Sequence, residues 1–277
     1  MSPSWSDVIV PVPERFAREC TSQEDCRLWL PRCKLEQTDT PKLRLFGFPF
    51  AGGGASVLHR WMAPLADLAE IYAVQPPGRE ERRGETAYRT IFPLIAAMEA
   101  ALAPLIADRP SVFFGHSMGA LLAYELAAQL HQAGHPGPIH LILSGMAPPH
   151  VIDRVPPLHR LPRDRVITAL DQMGGTPKTV LNDPELMDMV LPVICTDIAL
   201  VYSRKRSGNP AIPVPITTFA GEHDPLAPAK DVRQWQNYGS ADFAERIFPG
   251  GHFFINDSSR DVLGVMRAIL RRAGRDG

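Results

Sequence analysis

A serine flanked on both sides by glycine, in Gly115-His116-Ser117-Met118-Gly119, stands between the apolar run Ser111-Val112-Phe113-Phe114 and the apolar-periodic segment Ala120 to Leu130. Few arrangements constrain a chain more. A G-x-S-x-G pentapeptide between strand and helix holds its serine on a sharp, strained turn, with room only for hydrogen atoms at the flanking positions. The serine hydroxyl is then exposed at the top of a sheet, where it can act as a nucleophile. A glycine turn with an incidental serine is the bland alternative, and the rest of the chain decides between them.

The segments around the pentapeptide alternate as a parallel α/β sheet requires. Leu43 to Phe48 reads as a strand, followed by the loop Pro49 to Ala55 and a helix near Ser56 to Leu68. Glu70 to Gln75 is a second strand, ended by Pro76-Pro77-Gly78, and Thr90 to Ala107 is a long apolar helix leading into the strand before Ser117. Ile139 to Gly145 is apolar enough for a strand buried on both faces. Then the rhythm breaks. From about 146 to 208 there are helical stretches, Arg163 to Met173, Pro184 to Val193 and Ile194 to Arg206, and no convincing strand. A helical insertion of about 60 residues at this place is expected to form a lid. Strands resume at Val214 to Ala220 and Glu245 to Phe248, before a closing helix from about Ser259 to Arg272. The expected organisation is an N-terminal extension over 1–25, then one α/β domain over 26–277 with helices on both faces of a mostly parallel sheet.

Composition narrows the function. Lys+Arg 29 against Asp+Glu 30 leaves a formal charge of -1, so no global field favours nucleic acid or an anionic membrane. No apolar stretch approaches the length of a membrane span, and the N-terminal residues lack a secretory layout, so a cytoplasmic protein is expected. The four cysteines, Cys20, Cys26, Cys33 and Cys195, have no zinc-site spacing. They are expected to be free thiols, although a Cys26–Cys33 disulfide is conceivable. Neither a metal nor a cofactor is expected, and a monomer is the default.

A serine hydroxyl is a weak nucleophile at neutral pH and needs an imidazole to take its proton, with a carboxylate to orient that imidazole. In chain order the acid should follow the serine and the histidine should come last. Asp224, in Gly221-Glu222-His223-Asp224, follows the strand Val214 to Ala220, and His252, in Gly250-Gly251-His252-Phe253, follows the next strand. Both loops fall on the same edge of the sheet as Ser117. Glu222 and Asp197 remain alternative acids and His223 an alternative base, while His116 is expected to support the elbow by packing. The oxyanion of an acyl-transfer intermediate needs two N–H donors. One is the backbone N–H of Met118; the other comes from the loop Phe50-Ala51-Gly52-Gly53-Gly54, with Ala51 as the expected donor.

Taken together, the segments Phe48 to Gly53, Pro77-Gly78-Arg79-Glu80, Phe114 to Ala120, Leu143-Ser144-Gly145, Gly174 to Pro177, Leu191-Pro192 with Asp197, Gly221 to Asp224 and Gly250 to Phe254 resemble one family. It is the type II, or editing, thioesterases of nonribosomal peptide and polyketide synthases, which have the α/β-hydrolase fold. Many members carry histidine where this chain has Phe50. The resemblance implies hydrolysis of acyl or aminoacyl thioesters from the phosphopantetheine arm of a carrier protein. An acyl chamber formed by Met173, Met187 and Met189, and a carrier contact through Arg79, Arg82 and Arg83, are compatible with that role; a core stripe and a solvated charged face are the plainer readings. Two other functions fit the same residues: an esterase or lipase acting on small free esters, and a catalytically silent binding module on the same scaffold.

Overall fold

Six short apolar runs become the strands of one parallel sheet. The computed structural model describes residues 23–31, 43–152, 157–204, 211–239 and 242–276. Its first half runs α1 (Gln23–Trp29), β1 (Arg44–Phe48), α2 (His59–Leu65), β2 (Glu70–Ala73), α3 (Ile91–Asp108), β3 (Ser111–His116), α4 (Met118–Gln132) and β4 (His140–Ser144). The second half runs α5 (Pro149–Ile152), α6 (Arg163–Met173), α7 (Lys178–Leu181), α8 (Pro184–Tyr202), β5 (Ile216–Gly221), α9 (Ala229–Val232), β6 (Phe243–Phe248), α10 (Phe254–Asp257) and α11 (Ser259–Asp276).

The strand order is β2-β1-β3-β4-β5-β6, and every neighbouring pair is parallel. Because side chains alternate across a strand, each strand feeds two cores. Phe113 and Leu141 join the core that holds α3 and α4, whereas Val112, Phe114 and Ile142 join the core that holds α2 and α11. This two-sided burial explains the near-continuous apolar strands. Helix α4 is buried almost all round, from Met118 to Ala128. The order of strands reverses between β1 and β3, and a doubly wound sheet opens its crevice at the carboxyl ends of the strands flanking that reversal. The loop after β1 and the serine after β3 lie there.

Helix α3 corrects one expectation. Its 18 residues have a mean hydropathy of 1.7, long and apolar enough to cross a membrane by length and composition alone. Leu94, Ile95, Met98, Leu102 and Ile106 are instead buried with α4 in the sheet core. A second correction concerns α8, which runs unbroken through Pro192 rather than as two helices. Its buried face, Met187, Leu191, Ile194, Asp197, Leu200 and Val201, keeps helical spacing across the proline. That packing offsets the lost hydrogen bond, a cost of about 3 kcal/mol in a helix interior.

The N-terminal boundary also shifts. Helix α1 begins at Gln23, with its first three residues inside the expected extension, and Trp29 and Leu30 are buried in the main core. The Trp29 carbonyl accepts from Gln75 N at 2.7 Å. A seven-residue helix carries too few turns to show periodicity. Residues 1–22 lie outside the described residues, as do Cys20 and Cys33, so the conceivable Cys26–Cys33 disulfide does too. Cys26 and Cys195 are free thiols.

Candidate active site

Ser117 has φ 53 and ψ -123, one of two non-glycine residues with positive φ among those described. The turn from β3 into α4 imposes this, and the glycines permit it. A Cβ on Gly115 would strike the Gly119 backbone, and one on Gly119 would strike the carbonyl oxygens of Phe48 and Pro49. The elbow is therefore locked against the loop that follows β1.

Three sheet ends bring Ser117, His252 and Asp224 together. The Nε2 of His252 lies 3.0 Å from Ser117 Oγ, and its Nδ1 lies 2.8 Å from Asp224 Oδ2. Asp224 and His252 are buried, and the second Asp224 oxygen accepts from the N–H groups of Leu226 and Ala227 at 2.9 and 3.1 Å. An ionised carboxylate offers about four acceptor sites; three contacts hold this one, from the imidazole and two backbone N–H groups. With Nδ1–H donated to Asp224, Nε2 is the free lone pair facing the serine hydroxyl, the tautomer a general base requires.

The alternatives separate cleanly. Glu222 and His223 are exposed and face each other at 4.0 Å rather than the serine. Asp197 is buried but pairs with Arg79. His116 is buried beneath the site, its Nδ1 2.9 Å from Ser144 Oγ and its ring 5.2 Å from that of His252. Burial, and secondarily the nearby His252, hold its pKa well below the usual histidine range, so it stays neutral beside the reacting groups.

The N–H groups of Ala51 and Met118 have no hydrogen-bond partner among the described residues. Around Ala51 the loop is tightly held: Gly53 N donates to Phe50 O at 2.9 Å, and Ala55 N donates to Gln75 Oε1 at 2.7 Å. Phe50 packs edge-on against Phe253 at 4.9 Å, an apolar contact beside the site.

The thioesterase-domain family model matches residues 43–270, spanning the strands, the insertion and all three sheet-end loops. The chain belongs to the thioesterase family. This thioesterase is 34% identical over 230 residues to the gramicidin S biosynthesis protein GrsT of Aneurinibacillus migulanus, covering 83% of this chain and 90% of that one. It is 33% identical over 224 residues to the human medium-chain S-acyl fatty acid synthase thioesterase, covering 79% of this chain and 83% of that one. Among solved structures, RedJ, a thioesterase from the prodiginine pathway of Streptomyces coelicolor, superposes with a TM-score of 0.78 at 33% identity. That match covers 87% of this chain and 98% of RedJ. The fold of this thioesterase is accordingly the α/β-hydrolase type, and the enzyme is a thioester hydrolase.

Two side-chain groups read from the sequence divide in the structure. Arg79 and Arg82 are buried, the first paired with Asp197, the second with Glu85 and lying 4.5 Å from the Trp29 ring. Only Arg83 of the three is exposed. Met187 is buried in a small core with Val166, Leu170, Leu191 and Ile194, whereas Met189 is 69% exposed. Charge runs and methionine stripes do not by themselves tell a buried tie from a surface, and the tie to Asp197 had no local signal.

Proposed function

We propose that this thioesterase clears acyl or aminoacyl groups from the phosphopantetheine arm of carrier proteins by a Ser-His-Asp mechanism. The observation that carries it is the continuous line from Asp224 through His252 to Ser117, at 2.8 and 3.0 Å, with the serine held at positive φ. Ser117 Oγ attacks the thioester carbonyl while His252 Nε2 takes its proton. Asp224 keeps the imidazole in the required tautomer and stabilises the imidazolium. The tetrahedral oxyanion is held by the N–H groups of Ala51 and Met118. Collapse breaks the C–S bond, and His252 returns the proton to the departing thiolate of the arm. Water then attacks the acyl-Ser117 ester, with His252 again as base, to release the acid and restore the serine.

The helices between β4 and β5 act in this proposal as the lid over the acyl chamber. A cytoplasmic monomer that meets a separate carrier domain completes it. RedJ and GrsT, which belong by name to prodiginine and gramicidin S biosynthesis, support the carrier-bound substrate. Incubation with a carrier domain loaded with acetyl or aminoacyl groups, followed by intact mass, tests the proposal. Release of the acyl group by wild type and not by Ser117→Ala is expected. Equal release by both, or a preference for free aryl esters by several orders of magnitude, would contradict it.

A further inference from the structure

The loop bearing Ala51 is not held by its own strand. Phe50 to Gly53 close a four-residue turn, with Gly53 N donating to Phe50 O and Gly52 in the third position at φ 79. Such a turn requires glycine there, and its central peptide can flip between two common forms. One side chain decides the flip. Asp197, on α8, accepts from Gly52 N through Oδ2 at 2.7 Å. In the flipped form the Ala51 carbonyl would face that carboxylate, while the Ala51 N–H, which belongs to the preceding peptide, moves only as the turn itself shifts.

Asp197 is itself fixed by Arg79. The guanidinium donates through Nη1 to Oδ2 at 2.5 Å and through Nη2 to Oδ1 at 2.8 Å. It also donates from Nη1 to Gly53 O, and from Nε and Nη2 to Pro77 O, each at 3.2 Å. The side chains of Arg79 and Asp197 are 6% and 2% exposed. One ion pair therefore holds the N–H of Gly52 and the carbonyl of Gly53, on the two residues following Ala51. A Cβ on Gly52 would meet Ile194 Cγ1, which places α8 directly over the turn. Glu80, in the same segment as Arg79, holds the far end of the loop by accepting from Ser56 N at 3.2 Å.

We infer that Arg79 and Asp197 are positioning residues for the oxyanion site: they set the turn that presents the Ala51 N–H. Because Asp197 rides on α8, this donor reaches its working geometry only when α8 is seated on the loop. The inference rests on the proposed role of Ser117 and Ala51.

Paired replacement separates positioning from stability. A buried ion pair exchanged for apolar residues of similar volume commonly leaves stability unchanged, whereas breaking it from one side does not. Arg79→Met with Asp197→Leu should therefore melt within a few degrees of wild type yet lose about 100-fold in kcat, the scale of a lost oxyanion donor. KM should stay within about threefold, and affinity for an acyl trifluoromethyl ketone, whose adduct needs the oxyanion site, should fall in parallel with kcat. Should the double variant not fold, Arg79→Gln with Asp197→Asn, which also leaves no unpaired buried charge, carries the same test, with about a tenfold loss in kcat at unchanged KM. A folded variant with kcat within threefold of wild type, in an enzyme silenced by Ser117→Ala, overturns the positioning role alone. Activity that survives Ser117→Ala overturns the proposed function and this inference with it.

Discussion

The sheet ends and the helical insertion over them are built to different standards. At the sheet ends the proposed catalytic groups follow strands that carry buried residues: Phe48 before Ala51, Phe113 and Phe114 before Ser117, Phe219 and Ala220 before Asp224, and Phe248, the one buried residue of β6, before His252. The insertion instead has its own small core, Val166, Leu170, Met187, Leu191 and Ile194, while Leu161, Leu186 and Met189 are exposed on it. It is fastened to the sheet domain through the end of α8, where Leu200 and Val201 join the main core, and through polar ties. Asp197 pairs with Arg79, Arg204 next to α8 pairs with Glu125 of α4, and Ser203 Oγ accepts from Ile91 N at 2.9 Å. Proposed chemistry sits at the ends of sheet strands, and the insertion, cored separately over α6 and the first half of α8, joins the sheet core through Leu200 and Val201.

The comparison is broken most severely at the nucleophile. Ser117→Ala or His252→Ala should lower kcat by about 10⁴-fold or more with the melting temperature little changed, measured on carrier-bound thioesters. Next comes the contrast of cores. Phe113→Ala should cost about 3–5 kcal/mol in global stability, read from urea unfolding. Met187→Ala should cost about 2 kcal/mol but mostly within the insertion, seen as faster amide exchange in α6 and α8 with a nearly unchanged urea midpoint. Equal loss of protection in β3 and α4 would show that the two regions unfold together.

A third difference is in pH. His140, in β4 with its Nε2 2.9 Å from Thr217 Oγ1, has its pKa drawn down to about 4, first by burial and then by Arg272. His116 is depressed by burial as well. An unfolded histidine titrates near 6.5, so below that pH the unfolded chain binds protons the folded chain refuses. Stability is unaffected above about 6.5, falls as pH drops toward 4, and levels off for His140 below that. The His140 share is about 2.5 kcal/mol at pH 4.5. Urea unfolding of wild type and His140→Gln at pH 7.5 and 4.5 should show the variant gaining on wild type by that amount. The acid loss from these two histidines belongs to the sheet, since both sit on its strands; burial also lowers the pKa of His159 in the insertion. The smallest effect is expected at Met189→Ser on the exposed face of α8, within about 0.5 kcal/mol.

What was legible in the sequence follows the same division. Strands buried on both faces announce themselves as apolar runs; the G-x-S-x-G pentapeptide marks the Ser117 loop, and chain order after the later strands marks those of Asp224 and His252. The continuity of α8 was not legible, because Pro192 is a local stop signal that only tertiary packing overrides. Nor was the partnership of Arg79 with Asp197. An arginine in a charged run and an aspartate in a mostly apolar helix give no hint that they meet across 118 positions of the chain. Asp197 was weighed as a possible catalytic acid, and the structure gives that carboxylate to Arg79 and Gly52 instead. Helix α1 was missed because it is short, and its burial depends on Gln75 and Arg82, which lie far away in the chain.

The most direct measurement is rapid-quench intact mass on wild type mixed with an acyl-loaded carrier, followed by peptide mapping. An adduct of the acyl mass on the Ser117 peptide, formed and lost at rates compatible with turnover and absent in Ser117→Ala, is the predicted result. Turnover without any adduct, continuing in Ser117→Ala, would contradict a covalent serine mechanism at this elbow.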